Sequence, residues 1–331
     1  MAKITVLGCG WGTALAMAAH AAGHTVTLWS PFAAEVEAIN TQHEQKKLLP
    51  GVHIPEDIPA TTDLAAAEGS DLTIIAVPSR FVRETAVKLK SLHDCGILVN
   101  VSKGFEDGTL YRLSQVLHEE LPEKRVVVLS GPSHAEEVAR YIPTSLVASS
   151  DDPAAAEMVQ DLMMSESLRI YTNDDVIGVE LGGALKNIIA LAAGILDGMQ
   201  LGDNTKAALM TRGLTEISRL GLALGAKRDT FSGLTGIGDL VVTCTSMHSR
   251  NRRFGILIGK GVETMAALAE IGTVEGYYAT KMAYELSRRQ GIVMPITEQC
   301  YEVLYNRKDA STALRELMGR PGRSEHDLLY D

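Results

Sequence analysis

Lys186 is the residue in this chain best suited to moving a proton. It lies in Gly182-Gly183-Ala184-Leu185-Lys186-Asn187, at the start of a strongly helical stretch whose residues 181, 185, 188, 192 and 195 form an apolar stripe. Lys186 points away from that stripe. Its neighbours one and two turns along its own face are Gly182, Gly183, Ala190 and Ala193, too small to cover the ammonium or to keep a ligand away. An ammonium desolvated in such a place has a lowered pKa and can exchange a proton with a hydroxyl or carbonyl. The plainer reading is a surface lysine over a helix-packing face. Asp239 ends the glycine-rich stretch Gly233-Leu-Thr-Gly-Ile-Gly238, which reads as a loop. Near Lys186 it would fix the ammonium and accept a substrate hydroxyl proton in a hydrogen bond; alone it is equally a helix cap. In Ser249-Arg250-Asn251-Arg252-Arg253, Arg250 and Asn251 offer the guanidinium and amide donors that suit a phosphate, whereas Arg252 and Arg253 read as solvated charges.

A second kind of chemistry belongs to glycine. Gly8-Cys9-Gly10-Trp11-Gly12 falls between an expected strand and an expected helix, where glycines permit a tight turn and let backbone N–H groups approach a pyrophosphate. The usual G-x-G-x-x-G spacing would put its third glycine at Thr13, so Gly12 arrives one residue early and implies a tightened turn. The second strand ends Leu28-Trp29-Ser30-Pro31-Phe32, without the carboxylate that usually holds an NAD ribose 2'-hydroxyl, and Ser30 is a donor there. The cofactor is therefore expected to be NADP or NAD, leaning to NADP. Lys103 in Val101-Ser-Lys-Gly104 and Ser133 in Ser130-Gly-Pro-Ser133 follow strand ends, where ligands bind in doubly wound sheets. Ser133 with Glu136 also spells a capping box, and helix capping stands beside ligand contact for it. Cys244 and His248 lack the further ligands of a zinc site, and Ser133-His134 lacks a partner acid for a hydrolase triad.

Elements must hold these groups. Lys3 to Leu7, Thr25 to Trp29, Leu72 to Val77, Ile97 to Val101 and Val126 to Leu129 read as strands separated by helix-length segments, which implies a parallel, doubly wound α/β sheet. From Asp174 the pattern becomes helical, over 176–198, 204–225, 250–258, 262–270, 275–289, 295–305 and 309–318. The expected domains are thus 1–172, Rossmann-type and dinucleotide-binding, and 173–331, all-helical, for substrate and catalysis. With no long linker between them, they are expected to pack closely and enclose a cleft. The chain has 331 residues, 46% hydrophobic, enough for two cores. Its net charge of −10 argues against a nucleic-acid partner but allows a small anionic substrate at a local cluster of donors. The four cysteines are scattered and read as reduced thiols. No charged leader opens the chain and apolar runs such as Ile188 to Leu196 are short, so a cytoplasmic location without membrane insertion is expected. A homodimer is carried as an expectation that no residue pattern fixes.

Taken together, these segments resemble the bacterial NAD(P)-dependent glycerol-3-phosphate dehydrogenases along nearly the whole chain. The resemblance rests on Trp11-Gly-Thr-Ala-Leu-Ala16, Val101-Ser-Lys-Gly104, Leu129-Ser-Gly-Pro-Ser-His-Ala-Glu-Glu-Val-Ala139 and Val179-Glu-Leu-Gly-Gly-Ala-Leu-Lys-Asn-Ile-Ile-Ala190. It continues through Gly233-Leu-Thr-Gly-Ile-Gly-Asp-Leu240, Ser249-Arg-Asn-Arg252 and Val274-Glu-Gly-Tyr277. It implies reversible reduction of dihydroxyacetone phosphate to sn-glycerol 3-phosphate, supplying phospholipid synthesis. It also implies that Lys186 is the proton donor and acceptor, and that Lys103, Gly131, Ser133, Asp239, Ser249, Arg250 and Asn251 surround the substrate. Trp11, Lys103, Ala135, Arg250, Val274 and Glu275 would contact the dinucleotide beside Gly8, Gly10 and Gly12. The family usually carries one more residue between the second glycine and the tryptophan, and an aromatic residue where His134 stands. A 3-hydroxyacid dehydrogenase of similar plan and a non-catalytic dinucleotide sensor are the rival expectations; the sensor would need the turn but not Lys186, Asp239 and the clamp.

Overall fold

The computed structural model describes residues 1–322 and 324–325. Its first part alternates strands and helices. They are β1 (Lys3–Leu7), α1 (Trp11–Ala21), β2 (Thr25–Trp29), α2 (Ala33–Gln42), a hairpin of β3 (Glu44–Gln45) and β4 (Leu49–His53), and β5 (Ala60–Thr61). There follow β6 (Leu72–Ile75), α3 (Val82–Leu89), β7 (Ile97–Asn100), α4 (Leu113–Glu120), β8 (Val126–Ser130), α5 (Ala135–Val138), β9 (Thr144–Ser149), α6 (Pro153–Met163) and β10 (Leu168–Asn173). Eight strands form one sheet in the order β10-β9-β8-β7-β6-β1-β2-β5. The five expected strands run parallel at its centre, as Val, Ile and Leu runs buried on both faces should. Adjacent residues serve opposite faces: Val6, Ile74 and Val99 join one apolar cluster, while Leu7, Ile75 and Leu98 join the other.

The wholly parallel expectation needs correction at one edge. β9 pairs antiparallel to β8, and β10 pairs parallel to β9, so these two strands run against the rest. Leu168 to Asn173 buries only alternate residues over most of its length and lacks the continuous apolar run that marks a central strand.

The remainder is helical: α7 (Val176–Gly198), α8 (Gly202–Ala223), α9 (Arg228–Phe231), a π-turn over Leu234–Gly238, α10 (Asp239–Thr245), α11 (Arg250–Gly259), α12 (Thr264–Ile271), α13 (Glu275–Gln290), α14 (Pro295–Tyr305) and α15 (Ala310–Met318). Contacts divide the chain into Met1–Val176 and a unit beginning at Ile177. The seven expected helices are all present. The supposed loop at 233–239 is instead one turn of π-helix running into α10, a difference taken up with the site below. α7 has the expected bounds; it is long and apolar enough to cross a membrane by length and composition only, and its apolar window is buried inside the fold.

Within the second unit α7 and α11 meet backbone to backbone. A Cβ on Gly194 would fall 2.1 Å from the Arg252 carbonyl oxygen, and one on Gly255 would fall 2.0 Å from that of Leu191. One turn on, Gly198 and Gly259 repeat the arrangement against Ile256 and Ile195. Leu191, Ile195, Phe254, Ile258, Val303 and Leu304 pack around this crossing.

Candidate active site

Lys186 projects from α7 with only 6% of its surface exposed. Its ammonium pairs with the Asp239 carboxylate and donates to Thr243 Oγ1 at 2.6 Å. Thr243 Oγ1 in turn donates to the Asp239 carbonyl oxygen at 2.6 Å. Asp239 is 1% exposed, so this is a buried ion pair, which persists only where hydrogen bonds satisfy its members. The π-turn makes it possible. Gly182 lacks the Cβ that would stand 2.5 Å from the Thr235 carbonyl oxygen, so the turn lies directly on α7 and starts α10 beside the ammonium. The surface reading does not fit the finding: the lysine is buried, and Asp239, in the first turn of α10, pairs with it. Thr243 was missed. It lies four residues after Asp239 on one face of α10, a signal that appears only once 239–245 is recognised as helix.

α11 brings the second group of candidates. Ser249 is its N-cap, its Oγ accepting from the Arg252 N–H at 3.2 Å. Asn251 is buried. Its Nδ2 donates to Asn187 Oδ1 at 2.9 Å, and its Oδ1 accepts from the Gly276 N–H at 2.8 Å, tying α7, α11 and α13 together. The exposed Arg250 begins the helix. Arg252 is not the solvated charge expected. Its Nε meets Asp197 Oδ2 at 2.7 Å and its Nη1 the Thr245 carbonyl oxygen at 2.5 Å, while Lys206 shares Asp197 at 2.6 Å. Glu275 is half-buried in the first turn of α13. Val274 is 0% exposed and packed into the apolar cluster around the helix crossing, so in this conformation it presents no surface to a dinucleotide.

The first unit holds the remaining candidates in two places. In the glycine turn, Gly8 has φ +118°, and a Cβ there would meet the Ala76 carbonyl oxygen at 2.7 Å. Gly12 seats α1 on the sheet, since its Cβ would lie 2.9 Å from Val6 Cγ1. Gly10 is the N-cap, and no side chain caps α1, whose first residue is the half-buried Trp11. Thr13, standing where a third glycine was expected, is buried and gives its hydroxyl to the Cys9 carbonyl oxygen at 2.9 Å. The helix starts at Trp11, inside the glycine run. Ser30 is already engaged: its hydroxyl donates to Glu35 Oε2 at 2.7 Å.

The second place is at the exits of β7 and β8. Lys103 Nζ donates to the Gly131 carbonyl oxygen at 3.0 Å, and Ser133 Oγ donates to the same oxygen at 2.9 Å. The Ser133 hydroxyl therefore does not make the expected cap; the N-cap of α5 is His134, without a side-chain bond. Ala135 opens α5 and packs partly against the core. The Ser130 hydroxyl beside Gly131 is buried and has no hydrogen-bond partner among the described residues.

The four thiols are free and buried, and burial pushes Cys9, Cys244 and Cys300 up to about 12, so they stay protonated and unreactive at neutral pH.

Residues 3–156 match the N-terminal model, and 175–315 the C-terminal model, of NAD-dependent glycerol-3-phosphate dehydrogenase. A glycerol-3-phosphate dehydrogenase [NAD(P)+] of Desulfitobacterium hafniense is 52% identical over 98% of this chain and 93% of its own length. One from a Thermoanaerobacter species is 55% identical over 98% of each. The crystal structure of glycerol-3-phosphate dehydrogenase from Coxiella burnetii superposes with a TM-score of 0.92 at 39% identity, covering 96% of this chain and 99% of that one. By sequence and by fold, the chain belongs to the NAD-dependent glycerol-3-phosphate dehydrogenase family.

Proposed function

We infer that the chain is an NAD(P)-dependent oxidoreductase interconverting dihydroxyacetone phosphate and sn-glycerol 3-phosphate. The observation that carries this, beyond family membership, is the buried Lys186–Asp239–Thr243 group. It is a proton donor held in one orientation by two partners, the kind of positioned acid that reduction of a ketone requires. The nicotinamide, when bound, exchanges the hydride with C2. Lys186 polarises the C2 oxygen and protonates it in reduction, or takes its proton in oxidation. Asp239 and Thr243 keep the ammonium aimed.

Arg250, exposed at the start of α11, is assigned to the phosphate of the substrate. The commitments of Asn251 and Ser249 to neighbouring backbone and side chains support positioning roles for both. Lys103, Gly131 and Ser133, converging on one carbonyl, are assigned to the same ligand pair from the first unit. Gly8, Gly10 and Gly12, with the uncapped N-terminus of α1, fit a pyrophosphate: the missing Cβ atoms let it approach and the helix dipole favours its charge. The first unit is thus the dinucleotide-binding domain and the second the substrate and catalytic domain. The product supplies glycerol phosphate for phospholipid synthesis in the cytoplasm, a location that four buried free thiols favour. The enzyme is taken to be a homodimer, which sedimentation would read.

One assay tests the reading. NADH or NADPH should be oxidised when dihydroxyacetone phosphate is added; activity with 3-hydroxyacids and NAD(P)+, but none with the phosphate, would transfer the chain to the hydroxyacid dehydrogenases. Arg250→Ala should chiefly raise the KM for dihydroxyacetone phosphate, and an effect limited to dinucleotide affinity would remove Arg250 from the phosphate site.

A further inference from the structure

The end of β2 is the place where a doubly wound fold distinguishes the two nicotinamide dinucleotides, through what it offers the adenosine ribose. In sequence this end, Trp29-Ser30-Pro31-Phe32, holds no charge. In the fold it does. The first turn of α2 carries Glu35 back over the strand end, and its carboxylate accepts the Ser30 hydroxyl at 2.7 Å. Ser30, 1% exposed, is fixed from the other side by the Phe32 N–H, which donates to its Oγ at 3.2 Å. The pair also adjoins the glycine turn. The Cys9 thiol contacts the Trp29 carbonyl oxygen at 3.7 Å, and its pKa is raised first by burial and next by the charge on Glu35.

Among the described residues no cation forms an ion pair with Glu35. Lys46 and Lys47, the nearest lysines along the chain, stand exposed in the turn between β3 and β4.

From this arrangement we propose that Glu35, held by Ser30, is the residue that selects NAD(H) over NADP(H) in this enzyme. A carboxylate at this site accepts hydrogen bonds from a ribose 2'-hydroxyl, whereas a 2'-phosphate would bring two negative charges against a third. The Ser30 hydroxyl is already committed to that carboxylate, so it has no proton to offer a phosphate. This reverses the lean towards NADP that the bare strand end suggested. The inference rests on the dehydrogenase reading above and adds its cofactor preference.

Titration calorimetry with NAD+ and NADP+ on the full chain, alongside turnover of dihydroxyacetone phosphate with NADH and NADPH, tests it. The wild type should bind NAD+ at least about tenfold more tightly than NADP+, the value of one hydrogen bond to a charged group. Glu35→Gln keeps an acceptor for Ser30 and removes the charge; it should shift the NAD+/NADP+ affinity ratio towards NADP+ by about tenfold, with Glu35→Ala shifting it further. Unchanged melting temperatures would show that both variants are folded. A wild type that prefers NADP+, or a ratio that neither substitution moves, overturns the assignment of Glu35 alone. Failure of both dinucleotides to bind overturns the dehydrogenase reading, and this inference with it.

Discussion

The two units are built for their proposed roles by opposite means. The first works by omission: Gly8 and Gly12 lack the atoms that would block the turn, and the N-terminus of α1 lacks a side-chain cap. The second works by accumulation, crowding an ammonium, a carboxylate and a hydroxyl into a buried space around Lys186. A backbone site is written in consecutive residues and tolerates variety in its side chains. A side-chain site depends on residues 53 and 57 positions apart and tolerates almost none.

The contrast breaks most visibly at the buried pair. Lys186→Met should lower turnover at least about a hundredfold while leaving dinucleotide affinity near wild type, as single-turnover kinetics and calorimetry would read. Asp239→Ala should also destabilise the protein, by about 3–5 kcal/mol, because it strands a buried ammonium. The double variant Lys186→Met, Asp239→Leu should recover much of that stability and stay inactive. Equal loss of dinucleotide affinity in these variants would show that the two halves of the chemistry are not separable in this way.

A second buried carboxylate in the helical unit sharpens the point. Glu216 on α8 accepts from the Ile296 N–H at 2.7 Å and from the Thr297 N–H and hydroxyl at 3.2 Å each, so it caps α14 from another helix. Burial outweighs these bonds and raises its pKa from 4.5 to about 7. The folded state therefore holds this proton more tightly than the unfolded state. Stability should fall as pH rises through the window from 4.5 to about 7, by an amount on the order of 3 kcal/mol at about 1.4 kcal/mol per pH unit. Denaturant melts across that window should show the slope, and Glu216→Gln should flatten it.

In the first unit Gly8→Ala should weaken dinucleotide binding about tenfold, since it forces a side chain to φ +118° against the Ala76 carbonyl. Turnover at saturating cofactor should hardly change. The smallest effect is expected at Thr243→Val, which removes one bond to the ammonium and should cut turnover about fivefold with little change in KM. A drop as large as that of Lys186→Met would promote Thr243 from positioning the proton donor to sharing its work.

Legibility followed the same division. The glycine turn and the five central strands could be read because their signals are local: spacing, β-branched runs, buried apolar stretches. The small residues along its face mark Lys186 in sequence, but do not show that it is buried against Asp239. Thr243 was not legible, because glycines at 233, 236 and 238 look like a loop until Phe231 and α7 are there to pack against them. The charge of Glu35 at the end of β2 is hidden in sequence for a related reason: it lies five residues beyond Ser30, and only the first turn of α2 folds it back onto the strand end. Arg252 was misjudged because its partner Asp197 lies 55 residues away.

The four glycines where α7 crosses α11 have a consequence for how this enzyme can change. Packed helices usually accommodate small shifts by letting side chains find new rotamers, but at these four glycines main chain rests on main chain with no side chain between. Asn251 and Asn187 bridge the same seam by a hydrogen bond at 2.9 Å, so a substitution that displaced α11 would be expected to displace α7 with it. New substrates would then be accommodated by side chains outside this glycine contact rather than by the crossing itself.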